Sequence, residues 1–199
     1  SNHRDIHFYY YIYIYAASLY PGGSQADLNS KGFDWINNYW CNLMNEKGMN
    51  GVINPARPYA ISAMIILCLS FMVFFIRFAK IHVQETFWSR IILISGIISM
   101  LFAILIFTEY HDLMTMISSF FGLFAVIGII RSIYKSPLFY YKITGVICLI
   151  LLAMNNYIYY STHWIEGLPF LQKITFVVVL LWVIGLNYQI DRNQSKLTI

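Results

Sequence analysis

Ionisable side chains are scarce in this chain: Asp, Glu, Lys and Arg make up 11% of the 199 residues, against roughly 25% in an ordinary soluble domain. A conventional solvated surface cannot be built from so few charges. Cysteine is equally sparse, and Cys41, Cys68 and Cys148 follow no ligand spacing, which argues against a disulfide framework and a zinc site. No GxSxG and no glycine-rich phosphate loop is present, so nucleophile-elbow and nucleotide chemistry have no support. No internal repeat and no low-complexity tract interrupts the chain. The formal net charge is +4, but the basic residues form no stripe. They fall in short clusters between apolar runs, a pattern that reports membrane orientation and not a nucleic-acid partner. No cofactor and no metal is expected.

Apolar residues take up the space instead, at 59% hydrophobic and 18% aromatic. Several runs approach or exceed the roughly 18 to 20 residues that mark a membrane-spanning helix. The chain is therefore expected to be an all-α polytopic membrane protein. Residues 1–199 are read as a single domain of six transmembrane helices at about 6–20, 57–78, 87–107, 113–133, 139–160 and 168–188. The first is short and Tyr-rich, and Pro21, Gly22 and Gly23 end it. Asn54 with Pro55 or Pro58 starts the second. The linker "TEYHD" between the third and fourth forces an antiparallel hairpin, and a polar tail, "QIDRNQSKLTI", follows the sixth. The chain begins with Ser, and residues ahead of it are expected to have been removed.

With six spans both termini share one side. That side holds nine Lys and Arg residues, Arg4, Arg77, Lys80, Arg90, Arg131, Lys135, Lys142, Arg192 and Lys196, against Lys31, Lys47, Arg57 and Lys173 opposite. The bias predicts cytoplasmic termini, in a bacterial inner membrane. The outer loop, 21–54, contains "FDWINNYWCNLM", in which Phe33, Ile36, Trp40, Leu43 and Met44 recur at near-helical spacing. An amphipathic interfacial helix across the outer mouth of the bundle is predicted, either as a lid or as a plain anchor.

Six acids, Asp27, Asp34, Glu46, Glu109, Asp112 and Glu166, fall on the outer side with His111 and His163. The spans are nearly free of ionisable groups, which argues against a proton or ion path. An outer pocket is predicted, with ligand-binding candidates Asp34, Asn38, Arg57, Glu109, His111, Asn155, Asn156 and His163. Each has a plainer alternative. Asp112 suits the N-cap of the fourth span. His111 serves as a polar linker, as a partner of Glu109 or Glu166, or as a general base. Asn155 and Asn156 bind another helix or a lipid headgroup, and Arg57 snorkels to phosphates or fixes one anion. A metal set of His111, Asp112, His163 and Glu166 has no supporting spacing. Ser95 with Ser99, and Ser118 with Gly122, suit close helix packing.

"LYPGGS" (Leu19 to Ser24) closing the first span, the outer loop before the second, and "HD" (His111, Asp112) by the third hairpin resemble a family of uncharacterised bacterial and archaeal six-helix membrane proteins. They are more distantly similar to the damage-regulated autophagy modulators. The resemblance implies a six-helix bundle and membrane residence, and carries no catalytic residue across.

Three functions follow as expectations. The leading one is a non-enzymatic protein binding a lipid or small amphiphile, with membrane lipids and a possible membrane protein as partners. The second is a membrane-embedded hydrolase of lipid headgroups using His111, Asp112, His163 and Glu166. The third is a structural subunit of a membrane complex.

Overall fold

Apolar backbone can be shielded from water or lipid only if its N–H and C=O groups pair among themselves, and helices do this within one segment. In the computed structural model, which describes residues 11–134 and 136–197, the apolar runs are all helical. Helix α1 is described over 11–18, and the remainder of the first predicted span, 6–10, lies outside the described residues. It is followed by α2 (Arg57–Ile81), α3 (Thr86–Ile104), α4 (His111–Ile133), α5 (Phe139–Ser161) and α6 (Leu168–Leu197). Short 3-10 turns occur at Trp40–Met44, Leu105–Phe107 and Ile165–Gly167. Among the described residues, five helical segments are long and apolar enough to cross a membrane: Arg57–Ile81, Thr86–Phe107, His111–Ile133, Phe139–Ser161 and Ile165–Gln189.

Only 17% to 39% of the residues in the apolar windows of these segments are buried inside the protein. Leu69, Ile94, Phe120, Phe124, Ile150 and Leu181 instead point outward, which a bilayer tolerates and water does not. The chain thus has the architecture of an integral membrane protein. Neighbouring helices pack in sequence, α2 on α3, α3 on α4, α4 on α5 and α5 on α6, and α6 returns to α2, closing a ring. Small residues allow the closest approaches. Ser99 and Ser95 are buried, and Ser99 Oγ donates to the Ser118 carbonyl at 2.8 Å. A Cβ on Gly122 would lie 3.1 Å from Ser99 Oγ.

The connection between α1 and α2 folds as a cap on one end of this ring. Gly22 and Gly23 take φ of +129° and +82°, a region other residues rarely occupy, and a Cβ on Gly23 would strike the backbone of Asn50. Antiparallel bridges join Gly22 to Lys31 and Lys47 to Ile53. Asn54, 4% exposed, donates through Nδ2 to the carbonyls of Leu43 at 3.1 Å and Asn45 at 2.9 Å, with a longer 3.4 Å contact to that of Asn42. Its Oδ1 accepts from the Ala56 amide at 3.1 Å. One amide therefore closes the end of the 3-10 turn and opens α2, where Pro58 fills an early position that needs no N–H donor.

Several predicted boundaries move. Residues 33–44 do not form one helix but a turn at 35–37 followed by the 3-10 turn Trp40–Met44. The cause is local competition. Asp34 Oδ1 takes the amides of Ile36 and Asn37 at 2.9 and 3.1 Å, and Asn42 Oδ1 takes that of Tyr39 at 2.6 Å, so side chains satisfy donors that a helical ladder would use. Phe33, Leu43 and Met44 are buried as their apolar character requires, whereas Ile36 is 61% exposed. Helix α4 starts at His111 with Tyr110 as its N-cap and no side-chain cap hydrogen bond. Asp112 is accordingly a first-turn residue and not the cap. The sixth helix continues to Leu197 through most of the polar tail, because hydrocarbon thickness limits the apolar run but not the backbone ladder.

Asn54→Ala removes a buried donor shared among the carbonyls of the 3-10 turn. It is expected to lower unfolding stability by about 2 kcal/mol, the range for orphaning buried hydrogen-bonding groups, measured by denaturant unfolding in detergent.

Candidate functional site

Beneath the cap, α4, α5 and α6 line a partly open cavity of about 560 Å³, within the range typical of small-molecule sites. Three helices each contribute a stripe at helical spacing. His111, Thr115 and Ser119 come from α4, and Leu152, Asn155, Asn156, Tyr159 and Tyr160 from α5. The α6 stripe is Leu168, Gln172, Thr175, Phe176 and Val179. Tyr39, Trp40, Cys41, Asn42, Met44 and Asn45 form the roof, with Tyr13, Gln25, Met64 and Ile106 completing the wall. Amides and hydroxyls thus alternate with an apolar surface, and among the described residues no Asp, Glu, Lys or Arg side chain lines the cavity.

The roof is held by a buried ammonium. Lys173, 9% exposed, donates to the Asn38 carbonyl and, at 3.1 Å, to that of Pro169. Its Nζ lies 5.7 Å from the ring centroids of both Phe33 and Trp40, so aromatic faces replace part of the lost hydration. Alongside it, Gln172 Oε1 accepts from the Trp40 amide at 3.2 Å, and Tyr13 Oη donates to the Trp40 carbonyl at 2.9 Å. Trp40 is consequently fixed by its backbone on both sides. Cys41 is a free thiol whose pKa burial pushes up to about 11, which keeps it protonated and unreactive.

Within the wall, Asn155 Nδ2 donates to Thr175 Oγ1 at 2.6 Å and to the Leu151 carbonyl at 2.8 Å, tying α5 to α6. Asn156 Nδ2 donates to the Leu152 carbonyl of its own helix at 2.8 Å. The Tyr159 hydroxyl donates to Asp112 Oδ1 at 2.5 Å, and His111 Nδ1 lies 3.0 Å from the same oxygen. The Trp40 indole N–H and the Thr115 hydroxyl are buried with no hydrogen-bond partner among the described residues. A buried group left unmatched costs about 1 to 3 kcal/mol.

Of the predicted ligand-binding residues, His111, Asn155 and Asn156 line the cavity. The others do not. Asn38 is fully buried inside the cap, accepting from the Asp34 amide and donating to the Gly23 carbonyl at 2.8 and 2.9 Å. Asp34 holds the turn that follows it, and Arg57 pairs with Glu46 at 2.9 Å. Glu109 and His163 are exposed, and His163 Nδ1 lies 3.1 Å from the Ser161 carbonyl. Among the catalytic candidates, His111 and Asp112 are neighbours, while Glu166 is exposed on the connector before α6. No group of three or more His, Cys, Asp or Glu is arranged to hold a metal among the described residues.

Gln172, Thr175, Thr115 and Ser119 were not anticipated. The polar positions 111–115–119 in α4 and 172–175 in α6 are visible in the sequence, recurring on one face of an apolar run. Comparison with known proteins yields no match to a family model, a curated protein or a solved structure.

The Asp34 carboxyl is held below its ordinary value of 3.8, first by the Asn37 side-chain amide and then by backbone amides, against an opposing effect of burial. A depressed carboxyl pKa stabilises the fold above the unfolded value and loses that contribution as pH falls through the folded one. The stability advantage of wild type over Asp34→Ala, read from denaturant midpoints, is therefore expected to hold at neutral pH and to shrink below pH 3.8.

Proposed function

We propose that the protein is a non-enzymatic integral membrane protein that binds a lipid or small amphiphile in the capped cavity. The carrying observation is a chamber of about 560 Å³ in which amides and hydroxyls share the wall with Leu152, Phe176 and Val179. An amphiphile matches both surfaces, because its head takes hydrogen bonds while its chain covers apolar wall. In this reading α1 completes a six-span bundle and the cap lies at the outer membrane interface, where Trp35, Tyr39 and Trp40 are at home. Both termini lie in the cytoplasm of a bacterial cell, as the distribution of Lys and Arg favours, and membrane lipids cover the outward apolar faces.

The hydrolase reading is secondary. It draws on the His111–Asp112 contact at 3.0 Å, but general acid–base chemistry needs both groups converging on one substrate atom. His163 and Glu166 do not line the cavity that holds His111.

Ser119→Trp places an indole in the cavity from α4 without removing any of the cap's hydrogen bonds. Purified protein is expected to carry co-extracted amphiphile detectable by mass spectrometry, and the variant is expected to lose at least about 90% of it with little change in thermal midpoint. Equal loading of wild type and variant would defeat the proposal. Release of headgroup from added phospholipid, abolished by His111→Ala, would favour the hydrolase.

A further inference from the structure

We infer that the cavity selects an amphiphile whose headgroup is uncharged and carries hydroxyls, as in a monoacylglycerol. This rests on the reading above and specifies its ligand. Anions are disfavoured first. A buried anion needs a cation or several charge-assisted donors, and among the described residues no Lys or Arg lines the chamber. Lys173 is committed to the Asn38 and Pro169 carbonyls, and Arg57 to Glu46. The one basic ring in the wall, His111, already faces the Asp112 carboxylate, which adds negative charge at that rim.

Cations are disfavoured by the roof. The aromatic residue best suited to receive one, Trp40, already has the Lys173 ammonium 5.7 Å from its ring centroid, and a second cation would meet that charge in a low-dielectric setting. Uncharged hydrogen bonding is what remains. Asn156, Gln172 and Ser119, all neutral, line the chamber. A ligand hydroxyl donates and accepts at one atom, so it pairs with either kind of partner.

The test uses the full chain immobilised in a zwitterionic detergent, since glycoside detergents are themselves uncharged hydroxylated amphiphiles. Radiolabelled monooleoylglycerol, lysophosphatidylglycerol and oleylamine share one acyl or alkyl chain length and differ in head charge. Saturable binding of monooleoylglycerol at least about tenfold tighter than the other two, a gap of about 1.4 kcal/mol, supports the assignment. Charged probes binding as tightly or more tightly overturn it while leaving the amphiphile reading intact. Failure of all three to bind saturably overturns both. Asn156→Leu removes only a bond within its own helix and keeps the side chain's size. The preference is expected to narrow severalfold in this variant at an unchanged thermal midpoint, and an unaltered preference counts against the assignment.

Discussion

A single ammonium holds the roof onto the bundle. Lys173 sits in the second turn of α6, where it reaches both the Pro169 carbonyl of its own helix and the Asn38 carbonyl of the cap, 135 residues away in sequence. Withdrawing a lysine from water is expensive unless its donors are matched. Here two carbonyls and two aromatic faces do the matching, without a carboxylate in direct contact. The Trp40 amide, bound by Gln172 one residue before Lys173, follows from that docking, and Trp40 then covers the cavity. Had the lysine been paired with an acid instead, its hold on the cap would depend on that acid's protonation.

The bundle and the cap use opposite chemistries. In the bundle, apolar side chains face outward and small residues such as Ser99 and Gly122 let helices approach, as hydrocarbon permits. In the cap, Asp34, Asn38, Asn42 and Asn54 spend their hydrogen-bonding capacity on backbone amides and carbonyls, which lets a segment with little regular structure hold a defined shape. The cavity lies at the seam, where helix ends stop packing against one another and the cap takes over. Around it Lys173 is engaged with two carbonyls, Arg57 with Glu46, and Asp112 with His111 and Tyr159.

The apolar runs were legible because each is a local property of composition. The predicted span 57–78 became Arg57–Ile81, and 139–160 became Phe139–Ser161. His111, Asn155 and Asn156 were found as polar residues at the ends of such runs, and they do line the cavity. Asn38 and Arg57 lie outside the cavity for one shared reason: their partners, Gly23 and Glu46, lie elsewhere in the connection between α1 and α2, and no periodicity announces them. The periodicity of 33–44 was real for burial of Phe33, Leu43 and Met44, yet short polar side chains diverted the backbone from a helix.

What the sequence by itself determined is the set of membrane-length helices and the confinement of most charge to their ends, since both depend on the free energy of transferring residues out of water. Which hydrophilic groups became internal braces and which were left facing a chamber was decided only by tertiary structure. That choice depends on hydrogen bonds between residues far apart in the chain, such as Lys173 with Asn38 and Asp112 with Tyr159. A bond of that kind exists only once the helices have been brought together.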